Sequence, residues 1–190
     1  MEERQAGQSQ VKHQGKNPRQ GLVMVYTGNG KGKTTAALGL AMRAMGHGER
    51  VYMAQFMKGR PYGEIETVRR YLPLMKLEQF GPGRFIESCG PTSEDREWAG
   101  KGLEAAREAL RSGEYDLVIL DEINVAVEYN LLSLKEVLEL VAERPPHVDL
   151  VLTGRYARPE LLEVADMVSE VREVKHHYRQ GIPARAGVEF

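Results

Sequence analysis

The sequence predicts an α/β fold: a mostly parallel sheet of about six strands with helices on both faces. Three observations carry this expectation. Short apolar runs alternate with helical stretches from residue 21 to about residue 174, the pattern of strands joined by helical crossovers. The first run, Leu22 to Tyr26, has no polar face and reads as a strand buried on both sides. It leads through glycines at 28, 30 and 32 into a helical stretch starting at Lys33.

The elements follow in order. Ala37, Leu38, Ala41, Met42 and Met45 recur at helical spacing, and Gly46 suits the end of that helix. Arg50 to Phe56 reads as the second strand, residues 64–72 as a helix and Leu74 to Phe80 as a short third strand. Gly81-Pro82-Gly83 opens a loop with the apolar pair Phe85 and Ile86 at its tip; such a pair either buries against the core or forms a lid over a flat apolar ligand. Thr92 or Ser93 caps a helix reaching Arg111, and Gly113 stops it. Tyr115 to Leu120 is a fourth strand ending at Asp121-Glu122. Ser133 to Glu143 is an amphipathic helix, halted by Pro145-Pro146, and Val148 to Thr153 a fifth strand followed by Gly154-Arg155. Pro159 to Ala165 makes a short helix, with proline near its first turn. Met167 to Val174 alternates as an edge strand would, and Lys175 to Phe190 shows no clear element.

At 190 residues the chain suits one domain, spanning 21–190, preceded by a flexible polar arm, 1–20, with four basic and two acidic side chains. That arm reads as disordered, or as a segment that orders over a ligand. The net charge of −1 gives no global attraction to nucleic acid or membrane, and neither is expected as a partner. Cys89 is the only cysteine, so an intrachain disulfide and a cysteine-based zinc site are excluded. With no apolar stretch of spanning length and no signal-peptide core, the expected location is cytoplasmic.

The chemistry concentrates at residues 28–35. Glycines let successive backbone N–H groups approach a ligand, and the helix N-terminus behind them adds unpaired donors and partial positive charge. Lys33 adds a full charge, and the Thr34 hydroxyl is placed to hold a magnesium ion. Gly32-Lys33-Thr34 completes the second half of G-x-x-x-x-G-K-[ST]; the first glycine is replaced by Thr27, with Gly28 one residue later. An apolar strand closing on Asp121-Glu122 is the partner such a loop needs, because one acid binds magnesium directly or through water and the other ligates the metal or acts as a base. Lys58 and Arg155 each follow a strand's carboxyl end, where ligands sit in open α/β sheets; Lys58 reads equally as a solvated lysine. His176-His177 invites a metal, but no third ligand lies nearby in sequence.

Taken as blocks, Thr27-Gly-Asn-Gly-Lys-Gly-Lys-Thr-Thr-Ala36, Arg43-Ala-Met-Gly-His47-Gly48, Gln55-Phe-Met-Lys-Gly59, Val118-Ile-Leu-Asp-Glu122, Thr153-Gly-Arg155, Lys175-His176 and Ala186-Gly-Val-Glu-Phe190 resemble the P-loop ATP:corrinoid adenosyltransferases, in order from residue 21 onward. The resemblance implies a RecA-like sheet, a homodimer, and transfer of the 5′-deoxyadenosyl group of the co-substrate ATP to the cobalt of a reduced corrinoid. It implies that Gly28, Asn29, Gly30, Lys31, Gly32, Lys33, Thr34 and Thr35 hold the triphosphate, and that Arg43 and Arg155 position the nucleotide. Magnesium, or manganese in its place, would lie at Thr34, Glu122 and Asp121. Phe85, with Ile86, would face the corrin, and a flavoprotein would supply electrons. Some members carry a Phe-x-Trp pair where this chain reads Phe85-Ile86-Glu87. Lys31, Lys33 and Glu122 are the candidate catalytic residues. The rival readings are a phosphoryl-transfer enzyme or ATPase cutting the γ-phosphate, and a nucleotide-dependent binding module.

Overall fold

The computed structural model describes residues 20–60, 62–83 and 90–189. The expectations for the N-terminal arm, and for Phe85 and Ile86, fall outside the described residues, except for Gln20.

Six strands form one sheet: β1 (Val23–Thr27), β2 (Val51–Phe56), β3 (Met75–Phe80), β4 (Leu117–Asp121), β5 (Asp149–Thr153) and β6 (Met167–Glu170). Their order is β3-β2-β4-β5-β1-β6, and every pairing is parallel. The sheet, with its crossover helices, has the RecA-like P-loop arrangement, in which β5 separates β1 from the acid-tipped β4. All strand carboxyl ends therefore point the same way, towards the edge where ligands bind in such sheets.

The period of two along each strand divides the core into two layers. Val23 and Val25 of β1, Tyr52, Ala54 and Phe56 of β2, and Val118 and Leu120 of β4 pack on one face. Against them lie residues of α3 (Ser93–Arg111), α4 (Ile123–Glu128), α5 (Leu134–Glu143) and α6 (Pro159–Glu163). Met24, Tyr26, Val51, Met53, Ile119 and Val151 face the other way, onto α1 (Lys33–Gly46) and α2 (Gly63–Tyr71). The buried stripe of α1 is Ala37, Ala41 and Ala44, small residues that let the helix sit close to the sheet. Met42 projects outward, 63% exposed, so the apolar face expected from the sequence turns by part of a turn. The left-handed residue that ends this helix is Gly48 (φ 80°), two positions beyond Gly46.

Capping boxes fix two helix starts: Thr92 with Asp95 on α3, and Ser133 with Glu136 on α5. Helix α4 has no sequence signal. Its Ile-Asn-Val-Ala-Val-Glu run is buried from Ile123 to Val127 and so shows no amphipathic period. Strand β6 is an edge strand, as the alternation suggests, but it stops at Glu170 rather than Val174 and all four of its residues are exposed. Just past it the Val171 N–H donates to the Thr27 carbonyl at 2.8 Å, and the Val171 carbonyl accepts the Gly30 N–H at 2.7 Å. Beyond it, His177–Gln180 forms a single 3-10 turn.

Candidate active site

The loop between β1 and α1 is built partly by glycine and partly by the chain beside it. A Cβ on Gly28 (φ 95°) would lie 2.5 Å from the Val171 carbonyl oxygen, and one on Gly30 would lie 2.8 Å from the Arg172 carbonyl carbon. The close approach that demands glycine at 28 and 30 is thus to the protein's own residues 171–172, and the Gly30 amide is already committed to Val171. Gly32 (φ 118°) differs: nothing lies within 4 Å of its missing Cβ, so this is where the loop opens outward. Ala36 is the first residue of α1 to bond back, its N–H donating to the Gly32 carbonyl at 2.8 Å. The amides of Lys33, Thr34 and Thr35 before it have no intrahelical acceptor and are available to an anion.

Lys33 is 6% exposed, and its Nζ donates to the carbonyls of Gly28 (2.8 Å) and Gly30 (2.7 Å). Two of its three protons hold the loop in shape and the third remains for a ligand. Burial pulls its ammonium below the usual lysine range, and the charge of Glu122 opposes that shift.

Asp121, at the tip of β4, is fully buried and accepts four hydrogen bonds. Thr34 Oγ1 (2.9 Å) and Thr153 Oγ1 (2.8 Å) donate to Oδ1. Lys58 Nζ (2.7 Å) and Gln55 Nε2 (3.2 Å) donate to Oδ2. A buried carboxylate with all of its usual acceptor positions filled is well stabilised, and removing a donor would leave charge uncompensated. Lys58 is therefore not a solvated lysine but the counter-ion of Asp121, and it lines the ligand cavity as well. Burial alone would lower its pKa, and Asp121 holds it above the ordinary value instead. The network runs on to α2 and β3: Gln55 also donates to Glu64 (3.0 Å), and Gln79 donates to Gln55 (3.1 Å).

Glu122 follows with a left-handed backbone (φ 66°), a conformation that costs a non-glycine residue roughly 1 kcal/mol or more. Its N–H donates to Thr153 Oγ1 at 3.0 Å, and α4 begins at the next residue. Burial pushes its carboxyl pKa up and the adjacent Asp121 adds to this, against the pull of Lys58, Lys33 and Arg155.

Lys33, Thr34, Lys58 and Glu122 line a cavity of about 550 Å³, with Asp121 behind them and not in its lining, a volume within the range of small-ligand sites. Gly30 to Thr35, Lys58, Glu122 and Arg155 form its inner side, and Tyr62, Glu64 and Thr67 extend it along α2. His176 and residues 187–189 close its outer side. Gly28 and Asn29 do not line it, and Arg43 points to solvent from α1, where its charge acts on the Tyr26 phenol. Thr153, which joins the two acids, and Gln55 stand at the head of two blocks of the resemblance, but sequence reasoning assigned them no role, because each looks in sequence like an ordinary residue of a buried strand. Residues 187–189 belong to the Ala186-Gly-Val-Glu-Phe190 block of the resemblance, but with no periodic signal nothing in the sequence assigned them a place in the cavity wall.

The fold and site together define a P-loop nucleotide-binding protein of RecA-like architecture. The chain belongs to the ATP:corrinoid adenosyltransferase BtuR/CobO/CobP family, whose sequence profile matches residues 19–190. Among characterised relatives it is 39% identical to a corrinoid adenosyltransferase of Sinorhizobium sp, over 92% of this chain and 83% of that one. It is 37% identical to the corrinoid adenosyltransferase of Escherichia coli K12, over 90% of this chain and 86% of the relative. It is 39% identical to the corrinoid adenosyltransferase CobA of Salmonella typhimurium, over 90% and 86%.

Proposed function

We propose that this protein transfers the 5′-deoxyadenosyl group of ATP to the cobalt(I) of a reduced corrinoid, releasing triphosphate, in the making of adenosylcobalamin. The observation that carries the reading is the Lys33 ammonium, fixed on two loop carbonyls at the floor of the same cavity as Thr34, Glu122 and Arg155. Family membership supplies the substrates.

Cobalt(I) is already a strong nucleophile, so no protein base is needed. Its electron pair forms the Co–C5′ bond, the C5′–O bond breaks, and that electron pair leaves with the triphosphate. The protein's tasks are to align C5′ and to stabilise charge on the leaving group. Lys33, the free amides of the first turn of α1, Lys31 and Arg155 do the second. The Thr34 hydroxyl and the Glu122 carboxylate are hard oxygen donors that fit magnesium, or manganese in its place. Asp121, with four donors of its own, would orient the Thr34 hydroxyl, whose oxygen keeps lone pairs for such an ion. A bound ion would supply charge neutralisation at the triphosphate; the Glu122 carboxyl pKa is raised by burial first and by Asp121 second, against the pull of Lys58, Lys33 and Arg155.

Phe85 and Ile86 take the corrin in this reading. Gly81 and Gly83, which precede them in the chain, sit beside Met57 to Gly59: a Cβ on Gly59 would lie 2.6 Å from the Gly83 nitrogen, and one on Gly81 would lie 2.6 Å from the Met57 carbonyl carbon. Residues 21–190 act as one domain. A homodimer, a flavoprotein reductant and a cytoplasmic location complete the proposal by analogy with the family; among the described residues, no helix is long and apolar enough to cross a membrane.

Protein, ATP, magnesium and a chemically reduced corrinoid should yield a light-sensitive alkyl-cobalt spectrum together with triphosphate. Accumulation of ADP and phosphate without that spectrum would overturn the assignment in favour of a phosphoryl-transfer enzyme.

A further inference from the structure

The segment beyond β6 has no counterpart in the mechanism above, yet it forms the cavity's outer side. Its path is fixed locally. The His176 Nδ1 accepts the Tyr178 N–H at 3.2 Å, the two imidazoles of His176 and His177 stack with centroids 4.6 Å apart, and the Glu189 N–H donates to the Arg185 carbonyl at 2.9 Å. These contacts deliver the Glu189 carboxylate to the phosphate loop, 3.6 Å from Lys31 Nζ. On its other side His177 Nε2 lies 3.5 Å away, in contact but without a hydrogen bond. Glu189 Oε1 is buried and has no hydrogen-bond partner among the described residues. Lys31 meets the other oxygen, Oε2, so the two carboxylate oxygens face different neighbours.

We propose that Glu189 is a positioning residue for Lys31, and that the segment carrying it is the outer wall of the triphosphate site. The inference rests on reading this cavity as the nucleotide site, and not on the reaction that follows. Lys33 is held by the loop's own carbonyls, but Lys31, with a side chain 37% exposed, has no such internal support among the described residues. A lysine at a loop edge gives up much rotamer freedom when it grips a phosphate. An ion pair with Glu189 keeps its ammonium at the cavity mouth and leaves other N–H donors for phosphate oxygens.

His176, His177 and Glu189 also bring one ligand atom each within 4.8 Å of one another, a spacing that a transition-metal ion could use after small adjustments. Two contacts favour the ion-pair role instead. Lys31 places a cation beside the carboxylate, and the Tyr178 N–H occupies one of the two nitrogens His176 could offer.

The test is a double-mutant cycle read by ATP binding to the full chain, with no corrinoid present. Glu189→Ala and Lys31→Ala should each weaken ATP binding about ten-fold at an unchanged melting temperature. The double variant should be no weaker than Lys31→Ala alone. Glu189→Gln, which keeps the shape and removes the charge, should match Glu189→Ala and stands in for it if the latter fails to fold; Glu189→Asp should recover part of the loss. Wild-type affinity in Glu189→Gln, or a double variant about a hundred-fold weaker, overturns the inference. Saturable zinc binding abolished by His177→Ala overturns it in favour of a metal site. Failure of the unaltered chain to bind ATP defeats the reading of the cavity itself, a result distinct from either.

Discussion

The two sides of the cavity are made in opposite ways. The inner side is assembled from the ends of regular elements: Lys33 opens α1, Asp121 and Thr153 end β4 and β5, and Lys58 follows β2. The groups at these ends are largely buried and cross-linked, with Asp121 accepting from four side chains on three stretches of chain, though Lys31 and Arg155 of the same side are exposed. The outer side, His176 and residues 187–189, is irregular chain, mostly exposed, and meets the loop at the Lys31–Glu189 ion pair. A rigid inner side suits the holding of charge during bond breakage, because preorganised donors need no rearrangement when that charge appears. A loosely attached outer side suits the entry of a bulky anion and the exit of triphosphate.

The sharpest way to break this contrast is at Lys33. Lys33→Ala should cut turnover by about a thousand-fold or more, the scale of removing a main electrostatic stabiliser, measured as the rate of alkyl-cobalt formation. Circular dichroism and thermal melting should still report a folded protein. A melting temperature that collapses in step with the rate would recast Lys33 as the structural pin of its loop.

Glu122 tests whether the inner side is strained for function. Its folded-state pKa is raised, first by burial and then by Asp121, so the folded protein keeps this proton to a higher pH than the unfolded chain does. Stability therefore falls as pH rises through the window between the ordinary carboxyl value and the raised one. Above that window the ligand-free protein carries a destabilising charge. Glu122→Gln should raise its melting temperature at pH 7 by a few degrees, roughly the effect of 1 kcal/mol in a chain of this size, and should flatten that part of the pH dependence. It should also weaken the magnesium dependence of turnover. A lowered melting temperature would mean that the carboxylate is well partnered in the free protein.

The smallest effect is expected at Arg43. Its side chain is exposed on α1 and does not line the cavity, so Arg43→Ala should change the KM for ATP by less than about three-fold, the range of a solvated surface charge. A loss near that of Lys33→Ala would extend the nucleotide site along α1 and dissolve the two-sided description.

The inner side was largely legible in the sequence, because its signals are local. Strand, glycine loop, lysine and hydroxyl arrive within residues 22–35, and Asp121-Glu122 closes an apolar run. What could not be read locally is how those signals meet. Thr153 becomes a bridge between the two acids because β5 lies between β1 and β4, and strand order is a property of the whole sheet. Lys58 suggested an anion contact or a solvated lysine, whereas its partner stands 63 residues away. Helix α4 escaped because complete burial erases periodicity, and Met42 misled because an alanine stripe does the packing for which larger residues seemed better suited. The outer side was the least legible. His176-His177 appeared to have no third neighbour until the chain folded back to bring in Glu189.

The glycines at 28 and 30 bear on how far this loop can be transplanted. Their amide and Cα edges are moulded around residues 171 and 172 just past β6, with the Gly30 N–H spent on that neighbour. Residues 27–35 copied into another host would arrive without their mould, and the same letters would be free to take other shapes. The anion-binding unit is thus the short peptide together with the edge strand's exit, two stretches of chain that evolution must carry as a pair and that protein engineers would have to graft as one.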